Sequence, residues 1–306
     1  MIKRTLYFGN PAYLCLRNAQ LVITKPDDGD LPPDSSKELI KTIPIEDIGV
    51  VILDNRQITI TSALLSELLD NNVAVITCNE SSMPNGLLLP LHSNTLQSER
   101  FRDQLDSSLP LRKQLWQQTV EAKIRNQAAV LKYVSGEEAR NMQIWANNVK
   151  SGDSENMEAR AAAFYWKNVF PQLEFFTRDR NGPAPNNLLN YGYAILRAVI
   201  ARALLGTGLL PIMGIHHHNR YNSYCLADDI MEPYRPFVDK LVVDIITDNP
   251  CPQLTRDLKA RLLSIPVLDV EIDGHRSPLI IAATTTTSSL YKCFCGQGRK
   301  ILYPEL

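Results

Sequence analysis

Near residue 93 the sequence changes character, and that change constrains the fold more than any single motif does. Before it, segments at 21–24, 49–53, 57–61 and 73–77 are short and rich in Val, Ile and Thr. Turn-forming runs bound them: Lys25-Pro-Asp-Asp-Gly, Asp54-Asn55 and Asp70-Asn-Asn. β-Branched side chains suit a pleated, half-buried surface, so these segments read as strands. A helix at 62–69 interrupts them, with Thr61 or Ser62 as its N-cap, and 79–86 reads as a loop. After residue 93 the alternation stops. Residues 95–149 are rich in Leu, Gln, Ala, Arg and Glu, which is helical composition. Further helices are expected over 157–169, over 187–205 after the Pro- and Asn-rich break at 181–186, and following Asp228. The tail from 266 is mixed. The expected fold class is α+β, with a small β-rich N-terminal domain (1–92) and a larger all-α C-terminal domain (93–306).

Of the 306 residues, 44% are hydrophobic and 21% charged, enough for a sizeable core. The net charge of −1 advertises no nucleic-acid partner for the chain as a whole. Its distribution is uneven: residues 1–92 hold 7 Lys and Arg against 11 Asp and Glu, and the remainder 25 against 22. A DNA-facing surface therefore belongs to the second part. Its candidates are Arg112, Lys113, Lys123, Arg125, Arg178, Arg180, Arg197 and Arg202, although for any one of them a solvated surface charge is the commoner reading. No segment reads as a signal peptide, and none reaches the ~18 uninterrupted apolar residues of a membrane span. A cytoplasmic protein with no membrane partner is expected. The six cysteines, at 15, 78, 225, 251, 293 and 295, are scattered and fit reduced thiols. Cys293-Phe-Cys295 lacks the second pair that a structural zinc site wants.

The densest chemistry lies in Gly214-Ile-His-His-His-Asn-Arg-Tyr-Asn-Ser-Tyr-Cys-Leu-Ala-Asp-Asp-Ile-Met-Glu-Pro-Tyr-Arg-Pro, which holds three of the five histidines. Imidazole and carboxylate together suit a divalent metal, and Asp229 and Glu232, three apart, share a helix face. The bland alternative is a solvated His loop followed by acids that cap a helix. Pro233 and Pro236 make this turn locally costly, and Arg235 and Asp239 stand close enough to orient the carboxylates from behind. A second acid, Glu158, opens the Ala-rich run Glu-Ala-Arg-Ala-Ala-Ala-Phe-Tyr. There Glu158, Ala162 and Tyr165 share a face, and Tyr165 could hydrogen-bond a phosphate.

Gly-x-x-His, then Leu-Ala-Asp-Asp-x-Met-Glu-Pro-Tyr-Arg-Pro, preceded by Glu-x-x-Ala-Arg and Leu-Asn-Tyr-Gly-Tyr-Ala-x-Leu-Arg, resembles the CRISPR-associated integrase of spacer acquisition, the universal adaptation protein. The length and the Asn219-Arg-Tyr-Asn222 insert look most like its type II form. The resemblance implies Glu158, His217 and Glu232 as catalytic metal ligands for Mg²⁺ or Mn²⁺. Asp229, Arg235 and Tyr165 would stand in the layer behind them. His217 follows from counting four from Gly214; a one-residue slip would give His216 or His218. The implied reaction is transesterification, in which a 3′-hydroxyl of a foreign DNA fragment attacks a phosphate at a CRISPR repeat border. The implied partners are that DNA, a second copy of the chain paired through the β domain, a small adaptation protein completing a heterohexamer, and the RNA-guided effector nuclease. Competing expectations are a general metal-dependent nuclease on branched or single-stranded DNA, a non-catalytic DNA-binding scaffold, and a His-rich metal carrier.

Overall fold

The computed structural model describes residues 3–24, 41–174, 176–248 and 253–306. The turn expected at Lys25-Pro-Asp-Asp-Gly and Cys251 lie outside them. The chain forms two compact units, Met1–Ser93 and Asn94–Leu306.

The first unit is built on two four-stranded sheets. Strands β1 (Arg4–Phe8), β2 (Ala12–Arg17), β3 (Gln20–Thr24), β4 (Lys41–Pro44), β5 (Ile48–Leu53) and β6 (Ile58–Ile60) precede helix α1 (Ser62–Asp70), which is followed by β7 (Ala74–Cys78) and β8 (Pro84–Leu88). One sheet runs β1-β5-β7-β8, the other β4-β3-β2-β6. In the first, β1, β5 and β7 are parallel, and five consecutive residues of β5 are buried, as expected of a strand covered on both faces. Leu14, Leu21, Ile43, Ile48, Val51, Leu64, Leu68 and Val75 make the core between the layers. Thr61 caps α1, its hydroxyl accepting from the Leu64 amide at 3.3 Å. Residues 79–86 were expected to be wholly loop, but β8 begins at Pro84. It is an edge strand paired only to β7, which is where a proline at the first position is tolerated.

The second unit is helical. Its elements are α2 (Gln97–Leu105), α3 (Leu109–Ser135), α4 (Arg140–Asn147), α5 (Met157–Asn168), α6 (Asn186–Thr207), α7 (Cys225–Met231), α8 (Arg235–Asp248), α9 (Arg256–Leu262) and α10 (Leu279–Phe294). One addition interrupts the helices: β9 (Asp269–Ile272) and β10 (His275–Pro278) form an antiparallel ribbon. Its turn places Asp273 and Gly274 at positive φ. Helix α3 starts on a Ser108 cap with a proline in its first turn and stops at Gly136, whose φ of 74° is the left-handed closure that glycine allows. Helix α6 is long and apolar enough by composition to cross a bilayer, yet 83% of its most apolar window is buried inside the unit. It is the central core helix, packed against α7, α8 and α10. Helix α8 packs so close that a Cβ on Gly192 would stand 2.5 Å from the Val238 side chain.

Candidate metal centre

Five segments converge. Helix α3 supplies Trp116, Lys123 and Asn126, α5 supplies Glu158, the 214–218 turn supplies the histidines, and α7 supplies Asp228 and Asp229. Glu232, Pro233 and Tyr234 form a single 3-10 turn between α7 and α8. Proline has no N–H to give to a continuing α-helix, so the chain tightens there and places the Glu232 carboxylate at the break. Asn126 fixes this turn to α3, donating to the Pro233 carbonyl at 2.8 Å and to the Pro304 carbonyl at 2.9 Å.

Glu158 lies in the first turn of α5, where the exposed amides favour a negative charge. The helix does not cap itself there. Instead the buried Asp153 carboxylate accepts from the Met157 amide at 2.8 Å and the Glu158 amide at 3.0 Å. Glu158 and Glu232 are thereby brought to one point, the ammonium of Lys123, which lies 2.6 Å from an oxygen of each. It donates a hydrogen bond to Glu158 Oε1. It is equally close to Glu232 Oε2, where it forms an ion pair with the buried carboxylate. Burial alone would depress the Lys123 ammonium, but Glu232 and Glu158 carry it above its ordinary value. Glu232 responds in the opposite sense: burial would raise it, and Arg235 and Lys123 hold it below the usual carboxylate range. Arg235 Nη2 reaches Glu232 Oε1 at 3.0 Å, and its guanidinium lies 4.8 Å from the centre of the Tyr193 ring.

Asp229 is fully buried and folds the histidine turn. It accepts from the His216 amide at 2.9 Å and the His217 amide at 3.3 Å, and from His217 Nδ1–H. That last bond raises the His217 imidazolium above its ordinary value. With Nδ1 engaged, Nε2 is the nitrogen left for a ligand, which is how a metal-binding histidine is oriented from behind. Gly214 is required by the tightness of this turn: a Cβ there would fall 2.3 Å from the His217 carbonyl oxygen and 2.8 Å from Asp229 Oδ2. The other two histidines are placed differently. His216 stacks flat on Trp116, with ring centres 4.1 Å apart, and burial lowers its pKa. His218 is exposed and bonds the His216 carbonyl. His217 feels the charges of both Glu232 and Glu158.

Several sequence expectations change. Lys123, expected on a DNA-facing surface, is buried between the two carboxylates. Arg202 is likewise buried, because α6 is covered on nearly every face, and burial lowers its pKa. Tyr165 is fully buried and meets no open phosphate position; its hydroxyl donates to Asp239 Oδ2 at 2.8 Å. Asp239, expected to attend the carboxylates, instead takes the hydroxyls of Tyr165 and Tyr193. Arg197 is half-buried and clasps Asp228 with two hydrogen bonds of 2.6 and 3.2 Å. Arg178 bonds Asn186 at 3.0 Å and Asn190 at 2.7 Å. Arg125 is exposed, 3.1 Å from Asn147 Oδ1, Lys113 and Arg180 are exposed, and Arg112 is half-buried. Sequence reasoning did not anticipate the parts played by Asp153, Trp116 and Asn126. Each acts through a neighbour remote in sequence or through a capping geometry that no motif encodes.

A divalent metal fits the donor set, although not as a finished cage. Among the described residues, no three His, Cys, Asp or Glu side chains are gathered into a ready ligand group. Two carboxylates already aimed at one cation position, one of them buried, are what an open oxygen-rich site for Mg²⁺ or Mn²⁺ offers.

The sequence profile described as CRISPR associated protein Cas1 matches residues 6–253. A CRISPR-associated endonuclease Cas1 of Neisseria meningitidis serogroup C (strain 8013) is 36% identical, aligned over 100% of this chain and 97% of that protein. Among solved structures, a casposase bound to integration product superposes with a TM-score of 0.78 at 20% identity, over 98% of this chain and 92% of that one. The Cas6-RT-Cas1–Cas2 complex gives 0.75 at 20% identity, over 99% of this chain and 36% of that one. At that identity the structural likenesses speak to the fold.

Proposed function

This chain belongs to the CRISPR-associated Cas1 family, and from that premise we propose that it is a metal-dependent DNA endonuclease and integrase that inserts foreign DNA fragments into a CRISPR array. The observation that carries the reading is the convergence of Glu158 and Glu232, from two separate helical segments, on a single cation position. Glu158, His217 and Glu232 are the ligands in this reading. Mg²⁺ or Mn²⁺ bound there would polarise the scissile phosphate and stabilise the leaving 3′-oxygen. Asp229 fixes the His217 tautomer, and Arg235 holds one Glu232 oxygen so that the other faces the metal position. The 3′-hydroxyl of the incoming fragment attacks a phosphate at a repeat border. A new phosphodiester bond forms as the bond to the original 3′-oxygen breaks; the attacking hydroxyl gives its proton to solvent and the leaving 3′-oxygen takes one up as a free hydroxyl. No protein nucleophile is needed, so positioning and electrostatics carry the catalysis.

The domain assignment follows the same reading. The β-rich unit pairs two copies of the chain, and the helical unit performs the chemistry. Arg112, Lys113, Arg125, Arg178 and Arg180 remain the candidates for holding DNA phosphates. The partners would be the fragment and the repeat, a small adaptation protein that completes a heterohexamer, and the RNA-guided effector nuclease of a type II system, all met in the cytoplasm. A labelled duplex offered to a repeat-bearing plasmid tests the reading. Native protein with Mn²⁺ should yield covalently enlarged plasmid strands, and the Glu158→Ala, His217→Ala and Glu232→Ala proteins should not. Cut plasmid without an enlarged product would instead mark a general nuclease.

A further inference from the structure

We propose that Lys123 is a place-holding cation: in the metal-free protein its ammonium occupies the position between Glu158 and Glu232, and the divalent ion must displace it to bind. The inference rests on the metal-centre reading above. Three observations on independent atoms support it. The ammonium is 2.6 Å from Glu158 and 2.6 Å from Glu232, so it sits where a shared ligand would. The Lys123 side chain is only 11% exposed, so it is built into the core of the unit and is no surface charge that happens to reach inward. The Glu232 Oε2 atom is buried and, among the described residues, faces the ammonium alone, so the carboxylate is aimed at this one cation position.

The need for such a device follows from the burial. Glu232 is fully enclosed and Glu158 is partly so, and two carboxylates facing one point in a poorly solvated site repel each other. Arg235 compensates one of them through Glu232 Oε1. Lys123 compensates the other, so two carboxylates are matched by two cations. A divalent ion coordinates carboxylate oxygens at about 2.0–2.1 Å if it is Mg²⁺, which a resident ammonium at 2.6 Å does not permit. The four-carbon stem of lysine on α3 lets the ammonium swing aside without moving the helix, which a guanidinium fork held in two hydrogen bonds would not do. Metal binding is therefore a cation exchange, weaker than the ligand set alone would give.

Replacing Lys123 separates this role from a structural one. Lys123→Met keeps a four-atom stem and Lys123→Gln a shorter polar one, and both remove the charge. In isothermal titration with Mn²⁺ alone, both variants should bind at least tenfold tighter than native protein, because the competitor is gone. Without metal, both should melt roughly 5 °C or more below native protein, and saturating Mn²⁺ should restore most of the difference. A lysine that merely braces the fold predicts the opposite sign: unchanged or weaker Mn²⁺ binding with lowered melting. Either of those affinities in a folded variant overturns the proposal. If Lys123→Met proves too unstable to purify, Lys123→Gln, whose neutral amide is less costly to bury beside the carboxylates than a thioether, carries the same comparison. If native protein and both variants all fail to bind Mn²⁺, the metal-centre reading itself fails.

Discussion

The two units of this chain hide very different things. The β-rich unit buries Leu14, Leu21, Ile48, Val51, Leu64 and Leu68 and, among the described residues, puts no ionised side chain in that core. The helical unit buries Lys123, Asp153, Asp228, Asp229, Glu232 and Asp239 among its apolar side chains. Burying a charge is costly unless it is paired and hydrogen-bonded, and apolar burial alone is enough to build a fold. The first unit is thus made for stability. The second gives up part of its stability to hold carboxylates at a fixed point.

Substitutions can break or sharpen that contrast. The largest effect is expected at the carboxylates: Glu232→Ala should lower strand transfer by about 10²–10³-fold or more, measured as enlarged plasmid strands per hour. A loss below tenfold would make Glu232 a structural acid. Next comes the apolar side. Leu64→Ala, at a fully buried position, should cost about 2–5 kcal/mol in urea denaturation of the first unit. Strand transfer by the folded fraction should survive; if it disappears with the protein still folded, the two units do not divide the labour as described.

The third prediction concerns pH. Burial pushes the Asp239 carboxyl up to about 6, against the pull of the Tyr193 and Tyr165 hydroxyls. A carboxyl raised above its unfolded value of about 3.9 binds its proton more tightly when folded. Protonation therefore favours the folded form. The contribution is complete below the unfolded value and is lost as pH rises through about 6. Denaturation curves at pH 4, 5, 6 and 7 should show native protein losing stability relative to Asp239→Asn across that window, and parallel curves would contradict the assignment. The smallest effect is Thr61→Ala, which removes the cap of α1 and should cost about 1 kcal/mol. No change in strand transfer should accompany it.

Much of this contrast was legible in the sequence. The switch from Val- and Ile-rich segments to helical composition near residue 93 marks two kinds of core, because periodicity is a local property. Strands at the edge were harder: β8 carries Pro84 and Gly86 and reads as loop until β7 is seen beside it. At the site, it was the resemblance of Gly-x-x-His and Glu-Pro-Tyr-Arg to a family pattern that pointed to His217 and Glu232; composition and spacing alone marked a region rich in His and acids without choosing among its three histidines. The position of Lys123 left none. Its spacing on α3 is that of any helical lysine, and only the approach of α5 and the 232–234 turn makes it central. Tyr165 misled for the same reason: a shared helix face does not say which neighbour will cover it.

The most direct test is to locate the ion. Crystals of the protein soaked in Mn²⁺ and measured for anomalous scattering should show one strong peak bounded by Glu158, Glu232 and His217, with the Lys123 ammonium moved off the carboxylates. A peak held by His216 or His218 without the two glutamates, or none at an Mn²⁺ concentration that supports strand transfer, would contradict the account.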